Sequence, residues 1–326
     1  MYKLNFLLYP NVQNYHITKD DSLNVLSDND TFNSFKKEFT TKYNFNELKT
    51  IDFSKAGVLG LFLDLKGKIA VSKGESEAII QAAQEYEKLG FEITWLELKK
   101  DGSVDLSFLE KSKFDYIFIS SYVMDTFVKT QLKDIKKLSN AKIISNCSAN
   151  FDKDCDIAIF DSYKICGYTS NAIVLYNDEF EEQNIANIDS IAVKLTFEAL
   201  KEQKFNTSNK EIFIKELQDI FKDDLYFFVD YKTTLDYSLH FGLKGIKARE
   251  LIRTLSLSNV LITNGEGCSL GLSKPSRIIQ SMGYDELTSR NAISLTFNEE
   301  YTKEDIQKIS KLFYKKYRQI KVLNEQ

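Results

Sequence analysis

A lysine and a cysteine, far apart in the chain, are the side chains best placed for covalent chemistry. Lys164 stands in Asp156-Ile-Ala-Ile-Phe-Asp-Ser-Tyr-Lys164-Ile-Cys-Gly167, an apolar strand running into a turn. A tract of this kind aims one amine at an aldehyde, with which lysine condenses to a Schiff base. The plain alternative is a surface lysine, since the chain carries 43 basic side chains. Cys268 stands in Asn264-Gly-Glu-Gly-Cys268, ahead of Lys274-Pro-Ser276. A thiol in a glycine-flanked loop is accessible and mobile, as a nucleophile must be. The alternative here is a small apolar residue in a turn. Cys147, Cys155 and Cys166 lie on or beside strand-like runs and read as packing residues. With His16 and His240 they match no metal-ligand spacing, so no metal is expected.

The 326 residues are 43% hydrophobic and 28% charged, with a net charge of −4 and both signs interleaved. That balance suits a globular protein and offers no basic face to nucleic acid or an anionic membrane. Met1–Pro10 lack the apolar length of a signal peptide, and the run Ala56–Leu63 is too short to span a bilayer. The expectation is a cytoplasmic protein with neither nucleic-acid nor membrane partners.

Short β-rich runs alternate with helical patterns from residue 50 to 180. They are Lys68–Ser72, Phe91–Leu96, Tyr116–Ser120, Ala141–Ser145, Asp156–Phe160 and Asn171–Tyr176, with a helix over Glu75–Leu89. Alternation of this kind predicts an α/β fold with helices on both faces of a mostly parallel sheet. The last two runs are joined by too few residues for a helical crossover, so they should be antiparallel. Beyond Asn177 the pattern is α+β. Helices are predicted at Ile188–Gln203, Lys210–Lys222 and Lys247–Leu255, with a final one over Thr302–Tyr317 behind a capping box. Strands are predicted at Leu225–Tyr231, Tyr237–Leu243, Val260–Thr263 and Ala292–Phe297. The boundaries place a large domain at 15–207 and a smaller one at 208–326 together with 1–14.

Several stretches, taken in order, resemble the NifS-type cysteine desulfurases of the class V aminotransferase family. Ser72–Ala78, Gly90–Leu98 and Asp101-Gly-Ser-Val-Asp-Leu follow that family's strand, helix, strand and turn. Asp156–Gly167 is similar to its "Asp-x-x-x-Phe-Ser-x-His-Lys-x-x-Gly". Gly265-Glu-Gly-Cys268, Lys274-Pro-Ser276 and Met282-Gly283 are similar to its "Gly-Ser-Ala-Cys", "Glu-Pro-Ser" and "Leu-Gly". Thr302–Ile306 is similar to its "Thr-x-Glu-Glu-Ile". The resemblance implies a type I pyridoxal 5'-phosphate fold, with a seven-stranded sheet, a small C-terminal domain and a homodimer. It makes Lys164 the Schiff-base lysine and Cys268 the persulfide carrier that takes sulfur from L-cysteine. An amino acid substrate and a sulfur-acceptor protein would follow.

The same resemblance places the cofactor contacts on altered residues. The phosphate loop falls on Ser54, Lys55 and Gly57, without the family's threonine. The ring-stacking histidine falls at Ser76. The aspartate that pairs with the pyridine nitrogen falls at Asn146, although a shifted register would offer Asp152, Asp154 or Asp156. A glutamine becomes Ala149. The phosphate serine becomes Asp161, ahead of Ser162, and the histidine before the lysine becomes Tyr163. The arginine for the substrate carboxylate falls at Ser294. The acidic Asp178–Glu182 occupies the neighbourhood of a shortened loop. Two functions remain open on these residues. One is a weakly active desulfurase or aminotransferase-like enzyme; the other is a non-catalytic homodimer serving as a binding partner or scaffold.

Overall fold

The structure, a computed structural model, describes residues 1–7, 15–18, 21, 30–182, 187–266 and 274–324. Cys268 lies outside the described residues. After β1 (Tyr2–Lys3), seven strands form the main sheet: β2 (Glu47–Asp52), β3 (Ile69–Ser72), β4 (Ile93–Leu96), β5 (Tyr116–Phe118), β6 (Lys142–Asn146), β7 (Ile157–Asp161) and β8 (Asn171–Tyr176). Their order is β2-β8-β7-β6-β5-β3-β4. The strands from β4 to β7 are parallel, whereas β8 runs against β7 and β2 against β8. This is the α/β fold expected, with the antiparallel step at the short link carrying Lys164.

Both faces of the sheet are covered, which is why β3 and β7 are continuous buried runs rather than alternating ones. One face receives Val58, Leu61 and Phe62 of α2 (Lys55–Asp64) and Ile79, Ile80 and Ala83 of α3 (Glu77–Lys88). The other receives Phe39 of α1 (Asp30–Tyr43), Ile135 of α4 (Leu132–Leu138) and Phe197 of α6 (Ser190–Glu202). Phe39 and Phe197 stack with ring centroids 4.7 Å apart. A five-residue helix, α5 (Ser162–Cys166), follows β7 directly and ends at Gly167. Lys164 therefore sits on a helical turn, not in the open turn expected. The Asp161 carboxylate makes the difference by accepting the amides of Tyr163 and Lys164 as a cap.

A second, three-stranded sheet combines β9 (Leu225–Tyr226), β10 (Ser238–Leu243) and β12 (Ala292–Thr296) in the order β12-β10-β9. β11 (Val260–Leu261) pairs in parallel with β1. α7 (Asn209–Phe221), α8 (Ala248–Ser256) and the helix Lys303–Asn324 share an apolar core with this sheet, and Leu4 joins it. The strand expected over Leu225–Tyr231 stops at Tyr226. Asp230 instead accepts the Lys232 amide and turns Tyr231–Thr233 into a 3-10 helix. No helix among the described residues is long and apolar enough to cross a membrane.

Candidate functional site

The parallel strands β3, β5, β6 and β7 end on one edge of the sheet, where α/β folds collect ligands. A cavity of about 380 Å³ opens there. Phe53, Ser54, Lys55, Glu77, Gln81 and Tyr163 line it, together with the buried Asp161, Lys164 and Glu266.

Lys164 is buried, and its Nζ lies 3.0 Å from Glu266 Oε1 and 3.9 Å from Asp161 Oδ2. Burial pushes the ammonium down, but the Glu266 and Asp161 carboxylates outweigh it and hold the amine above its ordinary value. The other Glu266 oxygen accepts the backbone N–H of Glu77 at 2.7 Å, in the first turn of α3. One carboxylate thus engages both the amine and a free helix-terminal amide. Its backbone is fastened as well. Glu266 N donates to Asp125 Oδ1 at 2.6 Å, and Ser276 Oγ donates to Asp125 Oδ2 at 2.8 Å. Gly265 makes this approach feasible. Its φ is +119°, and a Cβ there would stand 2.3 Å from the Asp125 carboxyl carbon.

Further polar groups connect to this pair. Ser120 Oγ donates to Glu75 at 2.7 Å and accepts the Asn146 amide at 3.1 Å. Ser148 Oγ donates to Asn146 Oδ1 at 2.6 Å and accepts the Asp161 amide at 2.8 Å. Asn146 Nδ2, Ser76 Oγ and Ser145 Oγ are buried without a hydrogen-bond partner among the described residues. On the other side, Ser294 Oγ donates to the Asp125 carbonyl at 2.8 Å and meets His240 Nδ1 at 3.0 Å. Burial lowers His240 to about 3, so the ring is neutral.

Glu75 is the titrating member of this chain. Burial pushes it from 4.5 up to about 7, against its Ser120 and Ser76 hydrogen bonds, and the Glu266 carboxylate adds to the rise. The folded protein therefore holds a proton that the unfolded chain releases. This contribution to stability is fully present below pH 4.5 and is lost as the pH rises through 7. Glu75→Gln should be more stable than wild type at pH 8, by up to about 3 kcal/mol, with the gap closing towards pH 4.5. Urea unfolding across that range measures it, and a gap that does not change with pH would refute the assignment.

The structure brings together only some of the residues singled out in the sequence. Lys164, Ser54, Lys55 and Tyr163 line the cavity. Ser54 caps α2, its hydroxyl donating to Asp52, and Lys55 Nζ pairs with Glu85 at 3.3 Å. Gly57 is pressed on the Asp52 carbonyl, where a Cβ would come within 2.0 Å, so its role is packing. Ser76 precedes α3 and Asn146 ends β6, both fully enclosed. Ser162 turns the other way and accepts from Thr196 of α6 at 2.8 Å. The shifted-register aspartates are misplaced for the role. Asp156 precedes β7 at the opposite edge of the sheet and pairs with Lys136, while Asp152 and Asp154 lie in the turn before it. Asp178–Glu182 also lies at that far edge, with Glu179 on Lys142 at 3.0 Å, because antiparallel β8 carries the chain away from Lys164. Cys147, Cys155 and Cys166 are buried thiols, as expected. Sequence reasoning missed Glu266, Asp125 and Glu75. A charged residue between two glycines, where the resembled family has a serine, was the available signal for Glu266.

The residues present in this cavity do not fit pyridoxal phosphate. The amine it would engage is occupied by Glu266, and at the start of α2, where the resemblance places the phosphate, the Ser54 hydroxyl is already bonded to the Asp52 carboxylate. Asp161 and Glu77 add two more carboxylates to the cavity wall, where a dianion would be repelled. Among the described residues no cluster of His, Cys, Asp or Glu could hold a metal ion.

No family model matches the chain. It is 21% identical over 280 residues to the cysteine desulfurase IscS of Pseudomonas entomophila, covering 75% of this chain and 69% of that protein. The Clostridium botulinum IscS is 22% identical over 273 residues, covering 73% and 69%. Among solved structures, a NifS-like protein from Rickettsia africae superposes with a TM-score of 0.64 at 16% identity, covering 88% of each chain. SspA in complex with cysteine gives 0.71 at 13% identity, covering 93% of this chain and 100% of that one. In sequence and in fold, the chain is a divergent relative of the NifS-type cysteine desulfurases.

Proposed function

We propose that this chain is a desulfurase-like protein closed to cofactor chemistry, which acts as a homodimeric binding partner or scaffold. The double contact of Glu266, on Lys164 Nζ and on the Glu77 amide, carries this reading. An amine held protonated by a buried carboxylate is not a nucleophile, and a carboxylate already seated at the start of α3 repels a second anion there. Purified protein incubated with pyridoxal phosphate should develop no visible band that borohydride abolishes. With added cysteine it should release no sulfide above the buffer control. A borohydride-fixed adduct on Lys164, or sulfide release at a rate typical of enzymes, would establish the rival reading.

That rival is a weakly active desulfurase with Lys164 and Cys268 as its covalent residues, taking an amino acid substrate and passing sulfur to an acceptor protein. It is supported by Lys164 standing in the cavity at the position of the family's Schiff-base lysine. The homodimer is supported by exposed apolar side chains near α5: Tyr163 lies within it, Tyr168 follows it, and Ile191 stands in the first turn of α6, which packs on α5. Light scattering at micromolar protein should give the mass of a dimer; a monomer would remove the dimeric part of the proposal.

A further inference from the structure

The helix Lys303–Asn324 has two sharply different faces. Ile306, Ile309, Phe313, Tyr317 and Ile320 are buried in the core beneath the second sheet. On the opposite side Lys308, Lys311, Lys315, Arg318 and Val322 are exposed. Steps of three and four residues keep these five within about a quarter-turn of one another, in a row roughly 20 Å long. No aspartate or glutamate occurs from Ile306 to Asn324, although the whole chain carries a net charge of −4. The interleaving of signs read from composition therefore breaks down on this helix. Among the described residues no carboxylate forms an ion pair with any of the four cations, whereas Lys321, outside the row, is held by Asp224 at 3.1 Å. Like charges at this spacing repel one another, and no ion pair within the described chain relieves them. The row ends on Val322, 49% exposed, beside Leu323 at 69%.

The flanks of the row decide what it fits. α7 packs along this helix, with Glu216 accepting from the Gln307 side chain at 3.0 Å, and its Glu211 and Asp219 are exposed. A nucleic-acid duplex is broader than one helix face and would bring its phosphates towards these carboxylates. None of the five residues is aromatic, so unpaired bases have nothing to stack on. A bilayer would attract the cations, but the apolar face that a surface helix inserts into lipid is here buried in the core. A second helix is narrow enough. Carboxylates at the same spacing can lie opposite all four cations at once.

We propose that this helix face is a docking surface for an acidic helical segment of a protein partner. Lys308, Lys311, Lys315 and Arg318 stand against its carboxylates, and Val322 meets an apolar side chain at one end of the contact. The proposal gives the binding-partner reading a surface, and it does not depend on the closed cavity, which none of these residues lines.

The probe is a fluorescent synthetic helix with glutamates at i, i+3, i+7 and i+10 and a leucine one turn beyond each end. A peptide of the same composition, with its glutamates spread around the helix, is the control. Full-length wild type is compared with a fourfold variant, Lys308→Glu, Lys311→Glu, Lys315→Glu and Arg318→Glu, and with Val322→Asp. A fourfold glutamine variant at the same positions decides the matter if charge reversal disturbs the fold, which circular dichroism checks. Anisotropy titrations at about 0.01 M and 0.15 M salt read the binding. Wild type should bind the patterned peptide at least about tenfold more tightly than the control, and less tightly at the higher salt. Both fourfold variants should lose that preference, and Val322→Asp should weaken binding while keeping it. No saturable binding of the patterned peptide at the lower salt, or equal affinity for the two peptides, overturns the proposal. Tighter binding of a DNA duplex or of anionic phospholipid vesicles also overturns it, since the row would then belong to phosphate. A borohydride-fixed adduct on Lys164 would sink the closed-cavity reading and leave this result standing, so the two failures are distinguishable.

Discussion

Lys164→Met should destabilise the fold by about 3–5 kcal/mol, because it abandons a buried pair from one side. Glu266 and Asp161 would keep their buried carboxylates after losing the ammonium that stands 3.0 and 3.9 Å from them. Methionine matches the stem of lysine, so packing contributes little to the loss. The pH dependence separates charge from shape. Burial already raises Asp161, with Lys164 opposing the rise, and removing the lysine lifts it further. A group with a raised folded value stabilises in acid, so the deficit should be greatest above pH 7 and should shrink as the pH falls. Adding Glu266→Leu should recover much of the loss, since an apolar replacement of a whole buried pair is often neutral or better. Urea unfolding decides it, and a single variant within about 1 kcal/mol of wild type would mean the pair carries no buried charge.

Ser294→Arg should be worse still, with a loss above about 4 kcal/mol or no soluble protein. The resembled family has an arginine at this position, so resemblance alone would favour the change as a repair. The structure argues against it. Ser294 is fully buried in β12, opposite His240 in β10 and bridged to Thr263 on its other side. Its hydroxyl joins the Asp125 carbonyl to the His240 ring. A guanidinium there would overpack the sheet and place a charge beside a neutral histidine in its interior. Recovery of a stable, soluble Ser294→Arg protein would show that the small sheet can open at this point.

The main sheet was legible because its parallel strands are covered on both faces and so appear as unbroken apolar runs, as in Ile157–Phe160. The antiparallel step at β8 followed from chain length alone. α1 and β2 were not legible. α1 spreads few apolar residues among many polar ones, and β2 alternates charge with apolar side chains at the sheet edge. Lys164 was visible from its tract, but its partner was not, because Glu266 lies 102 residues away and pairs through a turn set by Asp125. The Ser294 position could be aligned without revealing that His240 and Asp125 already enclose it. Spacing identified where a side chain sits along the chain; the groups that crowd around it came from strands distant in sequence.

The pairing of β1 with β11 also bears on how the protein is made. Tyr2 meets Val260, and Leu4 is wholly enclosed beside the second sheet. A ribosome adding roughly 5–20 residues per second needs on the order of 13–50 s between those two positions. β2, by contrast, finds β8 once Tyr176 has emerged. Leu4 and its neighbours thus wait for β11 while the larger sheet can already assemble, so β1 docks later than β2 although it lies ahead of it in the chain.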